Sequence, residues 1–154
     1  MRHWLMKSEP EEFSIDDLAA SPRRTAPWTG VRNFQARNFM LHDMRKGDRI
    51  LFYHSSCEPP GIAGIAEVAG AAYPDPTQFE PKSEYYDAKS KRENPRWHLV
   101  EVKFVKKTPF VTLDELRRHR ELSGMQTLKR GNRLSITPVT DAEWEFITRQ
   151  LLRL

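Results

Sequence analysis

Polar side chains lie beside aromatic ones in three stretches of the sequence, and each stretch adjoins a predicted strand or loop. The stretches are Lys7–Pro10, Trp28–Asn38 and Phe52–Ser56. An indole or phenol ring can stack on a flat heterocycle, which contributes about 1–3 kcal/mol of binding free energy. Serine, asparagine and backbone groups can read the hydrogen-bonding edge of such a ring, and arginine or lysine can hold phosphates. The three stretches therefore favour a site that binds a nucleic-acid base.

The first candidates for contact with a base are Ser8, Trp28, Asn33 and Trp97. Each has a structural alternative, because serine also forms turns and asparagine also caps helices. Trp28 precedes a glycine in a polar loop, so a place in the pocket wall competes with packing in the core. Trp97 begins a strand, where it either forms a wall of the pocket or covers one end of the sheet.

The strand that ends after Tyr53 supplies further candidates for the pocket. Phe52 and Tyr53 point to opposite faces of that strand, so one is buried and the other reaches the site. We favour Tyr53 for the site. His54 and Ser55 come next and are expected to line the pocket, with satisfaction of a backbone group as the alternative for the His54 ring.

Three cations near the same stretches are candidates for contact with a phosphate backbone. They are Lys7, Arg32 and Arg37. For one of them, a buried salt bridge with Glu9 or Asp48 is the structural alternative.

Few of the patterns that enzymes and metal sites require occur in this sequence. Its five histidines and single cysteine are scattered, so no tetrahedral metal site is predicted. Glycine-rich phosphate loops and the nucleophile elbow of hydrolases are absent. We therefore expect a binding module without metal or cofactor. Two alternatives stay open: an enzyme that acts on a base or nucleotide through Glu9, Asp48 or His54, and a protein-interaction or small-metabolite-binding domain.

Short strands alternating with short helices must position these residues. The predicted strands are His3–Lys7, Arg49–His54, Gly61–Ala72, Trp97–Lys107 and Ser135–Val139, and the predicted helices are Ile15–Ala20, Phe34–Met44, 112–119 and one that follows Thr140. Serine or threonine with an acid three residues later marks three of the helix starts. No regular helices separate the strands, so the pattern predicts an α+β protein, a small β-barrel of five or six strands with peripheral helices.

Residues 74–95 form a polar stretch with four prolines, which predicts a long surface excursion. Its cations alternate with acids, and this mixture is typical of a solvated surface. A nucleic-acid clamp is the alternative for Lys89, Lys91 and Arg92.

Length and composition limit the class of protein. A chain of 154 residues corresponds to one domain, 1–154. No apolar run is long enough to cross a bilayer, so we expect no membrane partner. The single cysteine favours a reducing compartment and hence a cytoplasmic location. A net charge of +4 and a pI near 9.3 permit a nucleic-acid partner without requiring one. Nothing in the sequence fixes the oligomeric state.

The same stretches resemble the EVE domain family. The similar segments span nearly the whole chain: Trp4–Pro10, Trp28–Asn38, Gly47–Asp48, Leu51–Ser55, Gly64–Ala66, Tyr73–Asp75, Pro95–Trp97 and Arg133–Ser135. The Lys-Ser-Glu-Pro and Gly-Val-Arg-Asn blocks are the specific ones.

The resemblance implies a PUA-like fold, a small curved β-barrel related to the YTH and ASCH domains. It also implies binding of nucleic acid that carries a modified base, in an aromatic-walled pocket, with modified cytosine in DNA as the leading candidate and modified RNA as another. Within the similar segments, Val31 is assigned to the pocket and Arg133 to backbone contact.

Overall fold

The computed structural model describes residues 1–154, and a mixed six-strand sheet forms its centre. The strands are β1 His3–Ser8, β2 Thr25–Pro27, β3 Arg49–His54, β4 Gly61–Val68, β5 Tyr73–Pro74, β6 His98–Leu99, β7 Glu101–Thr112 and β8 Ile136–Val139. The order in the large sheet is β2-β7-β4-β3-β1-β8, and β5 pairs with β6 in a second, two-strand sheet. Only β1 and β3 run parallel, and the other pairs are antiparallel.

Four short helices lie around the sheet. They are α1 Ile15–Ala20, α2 Phe34–Asn38, α3 Leu113–Arg117 and α4 Asp141–Phe146, and single π turns, Phe39–Asp43 and Ile147–Leu151, extend α2 and α4. Ser14 and Thr140 form the predicted capping boxes of α1 and α4. The α+β class with six main strands is confirmed. The hydrogen-bonded sheet is open between β2 and β8, and bulges in β4 and β7 bend it.

Alternate residues of the central strands fill two cores, one on each face of the sheet. Trp4 and Met6 of β1 enter the first core, whereas Leu5 enters the second. β3 divides in the same way, with Phe52 in the first core and Tyr53 in the second. This two-residue period follows from the pleat of a strand. α1 and α2 cover the first core, and α3 and α4 cover the second.

Residues 74–95 form the predicted excursion, and hydrogen bonds fix it to the rest of the fold. Gln78 in this segment is fully buried, and its Nε2 donates to the carbonyl oxygens of Asp75 and Trp97. Its Oε1 accepts hydrogen bonds from the Ser90 hydroxyl and the Trp97 amide. One amide side chain therefore ties the two ends of the excursion together. Among the helices, none combines the length and apolar character needed to cross a membrane.

Gly64 of β4 is a point of close packing that generates a test of the fold. A Cβ there would lie 2.8 Å from the Ile15 side chain of α1 and 2.8 Å from the Lys106 carbonyl oxygen. We expect Gly64→Ala to lower the free energy of unfolding by about 1–3 kcal/mol, because backbone on one side cannot move away. Denaturant unfolding measures the change. Gly70→Ala is the matched control, since no atom lies within 4 Å of its Cβ position; equal losses in both variants would contradict this packing.

Candidate functional site

A cleft of about 920 Å³ opens at the carboxyl ends of β1 and β3. These two strands are parallel, so both end at the same edge of the sheet, where the Ser55 amide donates to the Ser8 carbonyl oxygen at 2.9 Å. The Lys7 amide donates to the Ser135 carbonyl oxygen and brings the start of β8 to the same edge. Predicted site residues that line this cleft are Lys7, Ser8, Trp28, Val31, Arg32, Ser55 and Arg133.

Trp28 belongs both to the first core and to the cleft. Its ring meets Phe52 edge-on at a centroid distance of 5.5 Å and Phe13 at 6.4 Å, and only 8% of the residue is exposed. The indole N–H has no partner within the protein. Among the buried side-chain nitrogens and oxygens, only His98 Nδ1 lacks a partner, so the unpaired Trp28 N–H has contact with solvent, and Trp28 lines the cleft. A rigidly packed ring thus presents one hydrogen-bond donor to a ligand.

Two serine hydroxyls lie beside this donor. Ser8 Oγ donates to the Phe13 carbonyl oxygen at 2.6 Å and closes the turn that follows β1, so its remaining capacity is to accept. Ser55 Oγ makes no hydrogen bond within the protein and can donate or accept. The cleft therefore offers a ligand both donors and acceptors.

Lys7 and Arg133 place positive charge at the cleft without a carboxylate partner. Neither takes part in any ion pair. Lys7 is half-buried with its Nζ 5.8 Å from the Tyr53 ring centre, and desolvation lowers the pKa of its ammonium. Arg133 is exposed at the rim. An anion would complete the environment of both groups.

Arg32 lines the cleft but is committed to the structure of its wall. Its donors reach the carbonyl oxygens of Val31 and Tyr85, the Thr77 hydroxyl and the Asp75 carboxylate at 3.2 Å. All five guanidinium N–H groups are occupied by these contacts. Arg32 therefore has no N–H group left over for the predicted phosphate contact. The alternative of a buried salt bridge describes it, with Asp75 as the partner instead of Glu9 or Asp48.

Asp75 is fully buried and accepts hydrogen bonds from three residues, two in the Trp28 loop and one in the excursion. Its donors are the Gly30 amide at 2.8 Å, the Thr77 amide and hydroxyl at 2.8 and 2.6 Å, and Arg32. Burial alone would raise the pKa of the carboxyl, but the donors from Thr77, Gly30 and Arg32 outweigh burial, and the pKa lies below its ordinary value. Asp75 thus stays ionised and joins the Trp28 loop to the excursion.

Tyr85 forms the cleft wall contributed by the excursion, and sequence reasoning missed it. Its ring covers Gly30, where a Cβ would lie 2.6 Å from a ring carbon and where φ is +84°. Glycine is required there by both the conformation and the close approach. The sequence shows a glycine in the Trp28 loop and a tyrosine in a polar segment, but no local pattern predicts that the two are in contact.

An acidic rim bounds the side of the cleft next to Tyr85. It consists of Glu9, Glu12 and Glu84, all exposed. The charge of Glu9 is the main cause that raises the pKa of Glu12, followed by desolvation and Glu84. These three carboxylates were also missed as a group, because Glu84 lies far along the sequence from Glu9 and Glu12.

Three predicted pocket residues contact the backbone or the opposite core instead of the cleft. Asn33 Oδ1 accepts from the Ala36 amide and caps α2, and His54 Nε2 accepts from the Ile15 amide at the start of α1. Both match the structural alternatives. Tyr53 faces the second core, where burial raises its pKa to about 12. Phe52 faces the first core and packs against Trp28, and neither Phe52 nor Tyr53 lines the cleft.

Trp97 and Arg37 also lie outside the cleft. Trp97 Nε1 donates to the Asp87 carboxylate at 2.8 Å, and its ring stacks on Phe34 at 4.7 Å. Arg37 donates to the Asn38 side chain and to the Arg96 carbonyl oxygen. These contacts link α2 to the end of the excursion. Two groups proposed for catalysis are likewise placed elsewhere, since Asp48 is buried at the opposite end of β3 and His54 is bonded to α1.

The chain matches a family model described as the EVE domain over residues 2–150. It is 45% identical to thymocyte nuclear protein 1 of Gallus gallus over 163 residues, covering 94% of this chain and 66% of that protein. The Homo sapiens protein is also 45% identical, with 94% and 72% covered. The chain thus spans about two thirds of the length of the chicken relative.

Solved structures agree over the whole fold. A protein of Pseudomonas syringae superposes with a TM-score of 0.91 at 46% identity, covering 99% of both chains. Human THYN1 protein, in complex with DNA containing 5-methylcytosine, superposes with a TM-score of 0.90 at 44% identity, covering 96% of this chain and 95% of that one. An ASCH protein of Zymomonas mobilis shares the fold alone, at 11% identity and a TM-score of 0.57. The resemblance inferred from the sequence is confirmed.

Asp75→Asn tests the buried carboxylate as the link between the cleft walls. The amide loses the charge that faces Arg32 and turns a donor toward other donors, so we expect about 3 kcal/mol lower stability at neutral pH. The native pKa of Asp75 lies below the ordinary value of 3.8. The ionised carboxylate therefore contributes its full share to the free energy of unfolding above that pH, and this share declines as pH falls through the native pKa.

The gap between wild type and Asp75→Asn should therefore stay constant at neutral pH and narrow below about pH 4. Urea unfolding at several pH values measures it. Asp16→Asn removes an exposed partner of Lys107 and serves as the control with little effect. A gap that widened in acid would contradict the assigned direction.

Proposed function

The chain belongs to the EVE domain family, and from that premise we propose that it is a nucleic-acid-binding module that recognises a modified base in DNA, with a methylated cytosine as the ligand. The observation that carries the proposal is the Trp28 indole N–H, held rigidly in the core and left without a partner at the cleft. The human relative in complex with 5-methylcytosine DNA supports the ligand class.

The polar groups of the cleft suit the edge of a flipped cytosine. Such a base offers a carbonyl oxygen and a ring nitrogen as acceptors and an exocyclic amine as donor, and enzymes and readers of flipped bases bind this edge. In our proposal the Trp28 N–H donates to an acceptor, and the Ser8 and Ser55 hydroxyl oxygens receive the amine. Val31 and Phe13 provide apolar surface near them. Burial of one methyl group contributes about 0.8 kcal/mol, so the methyl alone would give roughly fourfold discrimination.

Backbone contacts are proposed for Lys7 and Arg133, the cations of the cleft that lack an ion pair. Desolvation disfavours the charged form of the half-buried Lys7, and a phosphate beside it would stabilise that charge. Ser8, Trp28, Val31 and Ser55 then form the base-binding group. Asn33, Tyr53, His54, Trp97 and Arg37 have no part in ligand contact in this proposal.

We also propose that the module binds without catalysing a reaction. The cleft contains carboxylates, one lysine and two arginines, but no nucleophile hydrogen-bonded to an orienting base. Of the three acid–base candidates from the sequence, only Glu9 reaches the cleft. A single domain over 1–154 and a cytoplasmic location remain proposals, the second resting on the single cysteine.

Trp28→Phe removes the indole donor and keeps an aromatic ring against Phe52 and Phe13. We expect affinity for a duplex with one 5-methylcytosine to fall by about 1 kcal/mol, roughly fivefold, since one neutral hydrogen bond is removed. Fluorescence anisotropy with labelled duplexes measures the change. Trp144→Phe is the control, because that ring stacks on His3 away from the cleft. Wild-type affinity in a folded Trp28→Phe protein would contradict the proposed role.

Incubation of the protein with the methylated duplex separates binding from catalysis. We expect the nucleosides recovered after digestion to be unchanged by mass spectrometry. Conversion of the modified base that Glu9→Gln abolishes would instead establish the enzyme alternative.

A further inference from the structure

The positive charge of this protein is concentrated in one segment that the proposed base-binding group does not include. Residues 117–133 contain six cationic side chains, Arg117, Arg118, Arg120, Lys129, Arg130 and Arg133, against the single carboxylate of Glu121. The surplus of five exceeds the net charge of +4 for the whole chain. The remainder of the molecule is therefore close to neutral. We call residues 117–133 the basic segment.

None of the six cations in the basic segment forms an ion pair. Elsewhere, by contrast, Arg2 pairs with Asp43 and Lys107 with Asp16. All six side chains are exposed. No paired carboxylate thus neutralises any of these charges, as expected of a surface that neutralises a polyanion.

The basic segment is a fixed surface. Leu122 and Met125 anchor it in the second core, where both are fully buried. Thr127 bonds through its hydroxyl to Thr137 of β8 at 2.7 Å, and Arg117 donates to the Leu128 carbonyl oxygen. Because the chain is held at several points, the charges keep their positions relative to the cleft.

The cleft lies at one end of the basic segment, since Arg133 contributes to both. The acidic rim of Glu9, Glu12 and Glu84 is also part of the cleft lining, and the mutual repulsion of its carboxylates shows in the raised pKa of Glu12. A phosphate backbone is repelled by that rim and attracted to the basic segment.

We propose that the basic segment is the track for the DNA backbone, so that the duplex extends from the cleft over residues 117–133 and away from the acidic rim. This inference rests on the proposed function and adds where the DNA lies. The backbone contacts of the segment carry no sequence information, and they supply affinity for any duplex.

A triple variant tests the track without touching the cleft: Arg120→Gln, Lys129→Gln and Arg130→Gln. We expect on the order of tenfold weaker binding to methylated and unmethylated duplexes alike, with their affinity ratio unchanged. The slope of log K against log salt should decrease in magnitude by about 0.9 for each phosphate that the variant no longer neutralises. Anisotropy titrations at several salt concentrations measure both.

A second triple variant, Arg23→Gln, Lys46→Gln and Lys103→Gln, removes the same charge near the opposite ends of β1 and β3. We expect it to bind as wild type does, because exposed charges farther away than about 10 Å are screened. Equally weakened binding in the two triples, or unchanged binding in the first, would overturn the track. Thermal unfolding confirms that each variant is folded.

The two proposals fail in different ways in this experiment. Wild-type binding without preference for the methylated duplex, together with weakened binding in the first triple alone, would support the track and overturn base recognition. Absence of any duplex binding by the wild-type protein would overturn both.

Discussion

A buried carboxylate with no access to solvent, Asp75, determines how the cleft is built. An ionised group at that depth is tolerated only when charge and hydrogen bonds compensate its missing hydration. Arg32, Gly30 and Thr77 provide that compensation, and they come from the Trp28 loop and the excursion. The Gly30 amide must therefore approach the carboxylate, and this brings the loop against the Tyr85 wall.

Stacked rings and cation–π contacts connect Arg32, the partner of Asp75, with α2. Arg37 lies 4.9 Å from the Phe34 ring centre, Phe34 stacks on Trp97 at 4.7 Å, and Arg32 lies 5.4 Å from Trp97 and 5.6 Å from Tyr85. Cations and aromatic rings thus form a continuous series from α2 to the cleft wall, with Phe34 and Trp97 stacked on each other at its middle. Such contacts contribute about 0.5–2 kcal/mol each when partly desolvated. Arg32, Arg37 and Trp97, which the sequence predicts to contact a ligand, instead support the wall of the cleft.

The sequence predicts most elements, because their signals are local. The capping boxes at Ser14 and Thr140 and the two-residue period of β1 and β3 depend on neighbours along the chain, and each is observed where it was expected. Site roles depend on distant partners. His54 is predicted to line the pocket because it ends a strand, yet its Nε2 accepts a hydrogen bond from the Ile15 amide. Asp75, the partner of Arg32, is 43 residues away along the chain, and no local pattern pairs them.

In the proposed complex, affinity and discrimination come from different parts of the molecule. One methyl group contributes about 0.8 kcal/mol on burial, which is too little to hold a protein on DNA. Phosphate contacts supply free energy without regard to sequence, and they weaken with salt. In this proposal a nearly neutral cleft lies beside a fixed cationic surface, and the two tasks are separate: the surface would retain any duplex, and the cleft would select among its bases. A net positive charge in the cleft would strengthen binding to every base equally and reduce the share of the binding free energy that depends on the methyl group.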